Sequence, residues 1–299
     1  MGTVQLAHGS GGIESAKLIK DIFFDYFGNS DLNLAEDATP IYNGKLAVST
    51  DGYSVTPLFF AGGDIGTLAV CGSCNDVAMM GAKPKWLTLG CFIEEGFETA
   101  KLKKLAESIG KKCREIDINI VSGDTKVLPK GAVDGIYLHT TAVGEIALSG
   151  LSCTKLQVGD TILVSRDVGT HGAAIFSARD GINLESSVKS DCAHLWPTVE
   201  KLINAKLEIV AMRDATRGGL AAVLNEWSIS SEIEITAFED KISISREVSG
   251  ICELLGFEAW NLANEGTFVL CVRSNEDKAL QILKEFNVNA EIIGKVTEG

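Results

Sequence analysis

Apolar and polar positions along this chain keep changing rhythm between the period of a helix and that of a strand. Over residues 13–27, Ile13, Ala16, Ile19, Phe23 and Phe27 fall on one helical face, and Gly28 supplies the stop. Residues 45–55 alternate with period two and predict a strand carrying Asp51 near its end. Residues 59–84, FFAGGDIGTLAVCGSCNDVAMMGAKP, are apolar and mostly small; they predict a buried helix capped by Asp64 and closed at Gly81, before Pro84. Strands are predicted over 86–92, 118–122 and 135–146, and a helix over 99–115; the strand at 118–122 delivers Gly123, Asp124, Thr125 and Lys126 to a turn. The pattern breaks over 147–159, dividing the chain into an N-terminal domain, 1–148, and a C-terminal domain, 149–299. The second half predicts strands over 161–165, 267–272 and 290–296, and helices over 172–179, 197–204, 216–227 and 275–286. Strands and helices mixed in both halves predict an α/β (α+β) architecture rather than a bundle or a sandwich, with no short-period repeat.

Charge and cysteine content narrow the class. With 27 basic and 40 acidic side chains the formal charge is −13. Nucleic-acid binding needs a compensating basic face. The lysines over 101–112 are spaced like the wet side of a helix, so no nucleic-acid partner is expected. No apolar run reaches the roughly 18 residues that span a bilayer. MGTVQLAHGSGG has neither the basic start nor the apolar core of a secretory signal. A cytoplasmic protein without membrane association is therefore expected. Among eight cysteines only Cys71 and Cys74 are close. Without a second pair or a histidine pair they make no zinc site, and they read as small buried hydrophobes, with a redox CxxC as the alternative.

Against this background the acids stand out. Asp64, Asn75 and Asp76 lie inside the apolar stretch 59–84, while Glu36, Asp37, Asp51 and Asp124 sit beside glycine or at strand ends. Carboxylates are rarely buried unless paired or metal-bound. Hard oxygen ligands so placed suit Mg²⁺ sharing its shell with a phosphate. Singly, Asp51 and Asp124 also read as turn residues and Asp64 as a helix cap. HGSGG, comprising His8, Gly9, Ser10, Gly11 and Gly12, precedes a helix. Its glycines let backbone N–H groups approach a phosphate; the alternative is a tail with Ser10 as cap. It matches neither a P-loop nor a dinucleotide fingerprint. MRDATRGGL sets Arg213, Asp214 and Arg217 before a helix, either as phosphate clamps with a metal ligand or as an Arg–Asp pair at a glycine turn. Glu265, just before a strand, is an acid–base candidate or a solvated turn residue. His171 caps a helix or touches a phosphate, and His139 reads as structural.

Taken in order, HGSGG, EDA, STDG, the 59–84 stretch, FIEEGF, SGDTKV, RDATRGGLA, CELLG and ANEG resemble the HypE family of hydrogenase maturation factors. That family is related to aminoimidazole ribonucleotide synthetase, selenophosphate synthetase and thiamine-monophosphate kinase. The resemblance implies a two-domain PurM-like fold whose N-terminal domains pair into a homodimer with a barrel-like sheet, followed by an α/β C-terminal domain. It implies ATP and Mg²⁺, with Asp37, Asp76 and Asp214 on the metal. Asp51, Asp64, Asn75, Asp124, Thr125 and Arg217 would lie along the nucleotide, with His8 to Gly12 folded over its phosphates. Lys126 and Glu265 would be the catalytic groups that handle protons. The implied activity is ATP-dependent dehydration of a carbamoylated cysteine to a thiocyanate, the cyanide source for NiFe-hydrogenases. The implied partners are the carbamoyltransferase HypF and the HypC/HypD iron scaffold. Members of the family end in a Pro-Arg-Ile-Cys tail that accepts the carbamoyl group, whereas this sequence stops at Gly299 without one. Three expectations remain: a tail outside this sequence, a paralogue acting on another amide, and a non-catalytic scaffold that keeps the nucleotide. The first is preferred.

Overall fold

Two antiparallel-rich sheets, each with helices on it, are joined by one small-residue helix. The computed structural model describes residues 3–9, 12–29, 32, 36–179 and 186–298, with the backbone alone for 13 and 27. Near the N-terminus, α1 (Gly12–Leu18) runs through a π-helical turn, Ile19–Phe24, into α2 (Asp25–Phe27). The helical period is therefore real, but Ile19, Ile22 and Phe23 are exposed, and no described residue of 3–29 is buried.

The first sheet is built from β1 (Thr39–Ile41), β2 (Leu46–Tyr53), β5 (Ala82–Glu94), β6 (Asn119–Leu128) and β7 (Ile136–Ile146). The short hairpin β3 (Phe59–Phe60) and β4 (Gly63–Asp64), then α3 (Ile65–Met79), lie between β2 and β5; α4 (Thr99–Glu115) links β5 to β6. The strand order is β1-β2-β7-β5-β6, with only β5 and β6 parallel. The stretch predicted as one helix over 59–84 is thus hairpin, helix and strand. β6 also runs straight through Gly123 to Lys126, where the sequence predicts a turn. Pairing with β5 keeps it extended, and Gly123 is needed because a Cβ there would meet Leu89 O at 2.5 Å.

The second sheet contains β8 (Thr161–Val164), β9 (Ile209–Asp214), β10 (Glu234–Ala237), β11 (Phe268–Val272) and β12 (Glu291–Thr297), in the order β10-β12-β8-β11-β9. Its helices are α5 (Thr170–Ser177), α6 (Trp196–Asn204), α7 (Gly219–Ser231), α8 (Arg246–Leu255) and α9 (Glu276–Phe286). β8 and β11 are buried throughout, as their unbroken apolar runs require.

α3 binds the two halves. Its small residues allow close approach on several sides; a Cβ at Gly72 would overlap the Tyr53 hydroxyl. Ile65, Leu68 and Val77 pack into the first core, while Ala78 and Met79 pack with Leu163, Trp196, Met212 and Phe268 in the second.

Candidate active site

The period-two alternation of β2 turns Ser49, Asp51 and Tyr53 toward α3. Ser49 Oγ donates to Asp76 Oδ2 at 2.6 Å, and Tyr53 Oη bonds Ser73 Oγ at 3.1 Å. Asp214 ends β9, and Asp37 lies just before β1. Arg213 Nε holds Asp37 Oδ1 at 3.0 Å, and its Nη1 holds Glu226 Oε2 at 2.9 Å. Arg213 is therefore committed to carboxylates and is not a free phosphate clamp. The other Asp37 oxygen, Oδ2, is buried without a hydrogen-bond partner.

These acids form one another's surroundings. Burial first, then Asp214, Asp37 and Asp51, pushes the Asp76 carboxyl well above its usual range, against the Ser49 hydrogen bond. Burial likewise raises Asp37 well above its range, with Arg213 opposing and Asp214 and Glu36 adding. Asp214 is pushed up to about 6 by burial, against Arg213 and with Asp51 adding. Asp51 is raised by burial against Arg217 and His139. Glu265, just before β11, is raised well above its range by burial, Cys192, Asp214, Asp191 and Asp51. An orphaned carboxylate oxygen among mutually repelling acids is an environment that a hard cation relieves, so the donor set fits Mg²⁺. Among the described residues no three His, Cys, Asp or Glu side chains form a ready-made metal cage.

Arg217 faces this cluster and also lines an adjoining cleft of about 860 Å³ between the halves. Val55 and Tyr137 form one wall of the cleft; His171, Phe176 and Phe257 form the other. His171 Nδ1 is bonded to Ser190 Oγ at 2.8 Å, and burial lowers its basicity.

Other predicted residues are placed elsewhere. Asp64 caps α3: its Oδ1 accepts from Thr67 N at 2.8 Å and its Oδ2 from Ser108 Oγ at 2.6 Å. Asn75 clasps the second half, donating to Ala193 O at 2.9 Å and accepting from Leu195 N at 2.9 Å. Asp124, Thr125 and Lys126 are exposed on β6. The row Asp51–Thr140–Leu89–Gly123 crosses four strands, so about 14 Å separates Asp51 from β6 at ~4.8 Å per strand. The register puts Asp124 and Lys126 beside Gly90 and Phe92, on the face away from α3. His8 is engaged within the N-terminal arm, its Nδ1 accepting from Gln5 N at 2.9 Å. Gly9 and Gly12 have open space where a Cβ would stand; Ser10 and Gly11 lie outside the described residues. Cys71 and Cys74 are buried free thiols. Sequence reasoning misses Ser49 and Asp191. The alternation of β2 signals Ser49; no local pattern signals Asp191.

Comparison with known proteins agrees with this architecture. The AIR synthase related protein family matches by its N-terminal domain over residues 35–146 and its C-terminal domain over 157–299. Carbamoyl dehydratase HypE of Bradyrhizobium diazoefficiens is 45% identical over 275 residues, covering 91% of this chain and 80% of that protein. A crystal structure of a HypE–HypF complex superposes with TM-score 0.90 at 42% identity, covering 94% of this chain and 93% of the other. HypE in complex with ATP superposes at 0.83 with 42% identity, covering 99% and 90%. With its PurM-like fold and these relatives, the chain belongs to the HypE family of carbamoyl dehydratases.

Proposed function

We propose that this chain is an ATP- and Mg²⁺-dependent dehydratase that converts a carbamoylated cysteine to a thiocyanate in NiFe-hydrogenase maturation. The observation that carries the proposal is the enclosed acid cluster with Asp37 Oδ2 unpartnered, in a chain whose relatives include a HypE bound to ATP. The net change takes R–S–C(=O)–NH₂ and ATP to R–S–C≡N, ADP and phosphate. The amide oxygen leaves on phosphorus. Two protons leave nitrogen; one ends on the phosphate and one is released.

Asp37, Asp76 and Asp214 are the side chains that would hold Mg²⁺, whose chemistry is charge compensation at the phosphates. Arg217, between Asp51 and the cleft, is placed to meet an anionic oxygen. Glu265 is the proposed base at nitrogen. Its carboxyl is raised partly by Asp214 and Asp51, so compensating those charges lets it ionise and accept the N–H proton. Asp51 backs Arg217, and Asn75 holds the backbone beside Glu265. Asp64 serves the site through α3. His8 to Gly12 would close over the phosphates.

Lys126, Asp124 and Thr125 do not reach this cluster within one chain. The face that carries Asp124 and Lys126 also exposes Trp86, Phe92 and Tyr137, while Thr125 alternates to the other face. This supports a homodimer in which a second copy carries Lys126, Asp124 and Thr125 toward the site. HypF is the proposed donor of the carbamoyl group, in keeping with the HypE–HypF complex. HypC and HypD are proposed from the family resemblance, a domain boundary at residue 148 from the break in pattern over 147–159, and a cytoplasmic location from the sequence reading.

Phosphate release from ATP, with and without an S-carbamoylcysteine peptide, tests the reading. Release that depends on the peptide, with loss of one water mass from it, is the expected result. Release with an unrelated amide instead supports the other-amide paralogue, and no release with either refutes catalysis. Asp76→Asn should weaken Mg²⁺–ATP binding by about tenfold or more; unchanged affinity refutes the metal assignment.

A further inference from the structure

The segment entering α6, residues 188–195, touches the β3–β4 hairpin, α3, α5 and the turn before β11. Ser190 N donates to Ala61 O at 2.7 Å, and Ser190 Oγ pairs with His171. Asn75 grips the same segment from α3, through Ala193 O and Leu195 N. Between these anchors Asp191 is only 4% exposed. Its carboxylate collects three donors: Oδ1 accepts from Glu265 N at 3.0 Å, and Oδ2 accepts from Gly266 N at 3.0 Å and Thr267 Oγ1 at 2.9 Å. The far side of the same turn is held as well, because Glu265 O accepts from Ala193 N at 3.3 Å and Asn75 Nδ2 at 3.4 Å. A Cβ at Gly266 would overlap the Asp191 carbonyl, so the segment passes where only glycine fits.

From this geometry we infer that Asp191 is a positioning residue for Glu265, fixing the backbone of the 264–267 turn and so the direction in which the Glu265 side chain enters the acid cluster. The inference rests on the base role proposed for Glu265. Position 191 calls for a carboxylate and not an amide. Each oxygen faces a backbone N–H, which can only donate, while the Thr267 hydroxyl is shared with Asp167 O; charge-assisted bonds to a carboxylate are the strong ones. An amide would turn an N–H toward one of those donors and leave it unsatisfied in a buried place. Asp191 has no oxygen left over for substrate; it acts through the turn it holds.

A double-mutant cycle in the full chain tests this. Single-turnover phosphate release with the S-carbamoylcysteine peptide is measured alongside ATP-binding stoichiometry. Asp191→Asn should slow turnover about ten- to a hundredfold at full stoichiometry, the scale of a small misplacement of a catalytic group. Glu265→Gln should slow it by about a hundredfold or more. The double variant should fall within about twofold of Glu265→Gln alone, because nothing remains for Asp191 to position. If the two losses multiply, or if Asp191→Asn merely lowers the fraction of chains that bind ATP, Asp191 serves the fold alone and the inference is overturned. Should the Asn variant fail to fold, Asp191→Glu enters the same cycle, with the charge kept and the carboxylate displaced. Wild-type turnover in Asp191→Glu overturns the inference. Wild-type turnover in Glu265→Gln is a separate result, which removes the base assignment and this inference with it.

Discussion

Raising the pH without a divalent cation probes the acid cluster most directly. Asp214 stands at about 6 in the folded chain against an ordinary value of 3.8. An acid raised on folding favours the folded state fully below its unfolded value, and that contribution is lost as pH climbs through its folded value. The difference, 6 − 3.8, is about 2 units, or about 3 kcal/mol at 1.36 kcal/mol per unit, lost between roughly pH 4 and pH 7. Asp37, Asp76 and Glu265 shift in the same direction and steepen the loss. For a chain of this size about 3 kcal/mol moves the melting temperature by on the order of 5 °C. Thermal melts in chelator should therefore fall from pH 4 to pH 8. Mg²⁺ at a hundred times its Kd restores about 2.7 kcal/mol. It acts chiefly at the upper end, where the acids are ionised, and so flattens the profile. Asp214→Asn should melt above the wild type at pH 8 in chelator and gain less from Mg²⁺. A flat cation-free profile, or an Asp214→Asn variant that melts below the wild type at pH 8, would show that the acids do not repel one another.

Three substitutions separate the other roles. Asp64→Ala removes the cap of α3 and the bond from Ser108, and should cost about 1–2 kcal/mol in urea unfolding while leaving ATP affinity unchanged in calorimetry; weakened ATP binding at equal stability would return Asp64 to the nucleotide site. Asn75→Ala leaves buried Leu195 N without an acceptor and should cost about 2–3 kcal/mol by the same unfolding measurement, where a loss below about 0.5 kcal/mol would deny the clasp. Val121→Asp, on exposed β6, should convert a dimer to monomers in sedimentation and abolish turnover; a wild type that is already monomeric and active rules out a contribution of Lys126 from a second copy.

How far the sequence could be read depends on how many elements a feature needs. The buried runs of β8 and β11 and the period of α4 are local patterns, and the structure has them where the sequence predicts. Asp64 and Asp76 share one apolar stretch and look alike in it. What separates them is a third element: Ser108 on α4 meets the first and Ser49 on β2 meets the second. Gly123, Asp124 and Thr125 are turn formers by propensity, but parallel pairing with β5 overrides that preference. The amphipathic period at 13–27 gives a helix and says nothing of what covers it. The start of MRDATRGGL hides the end of β9 because Arg213 and Asp214 break an apolar run whose pairing with β11 is long-range.

One turn of α3 carries the whole arrangement. Asn75 fastens the second half by hydrogen bonds, Asp76 faces the acid cluster, and Ala78 and Met79 enter the second core. The position of Asp214 relative to Asp76 is thus set by apolar packing and a neutral amide, neither of which repels a carboxylate. Repulsion among the acids would otherwise push the halves apart, since they come from β2, α3 and β9 and not from one rigid element. Arg213 and Arg217 offset only part of their charge, and enclosing the remainder is unfavourable for folding alone. Their gathering around a small-residue helix locked from both sides therefore argues for a task beyond stability, and a cation-bound polyphosphate is the task that the oxygen chemistry suits.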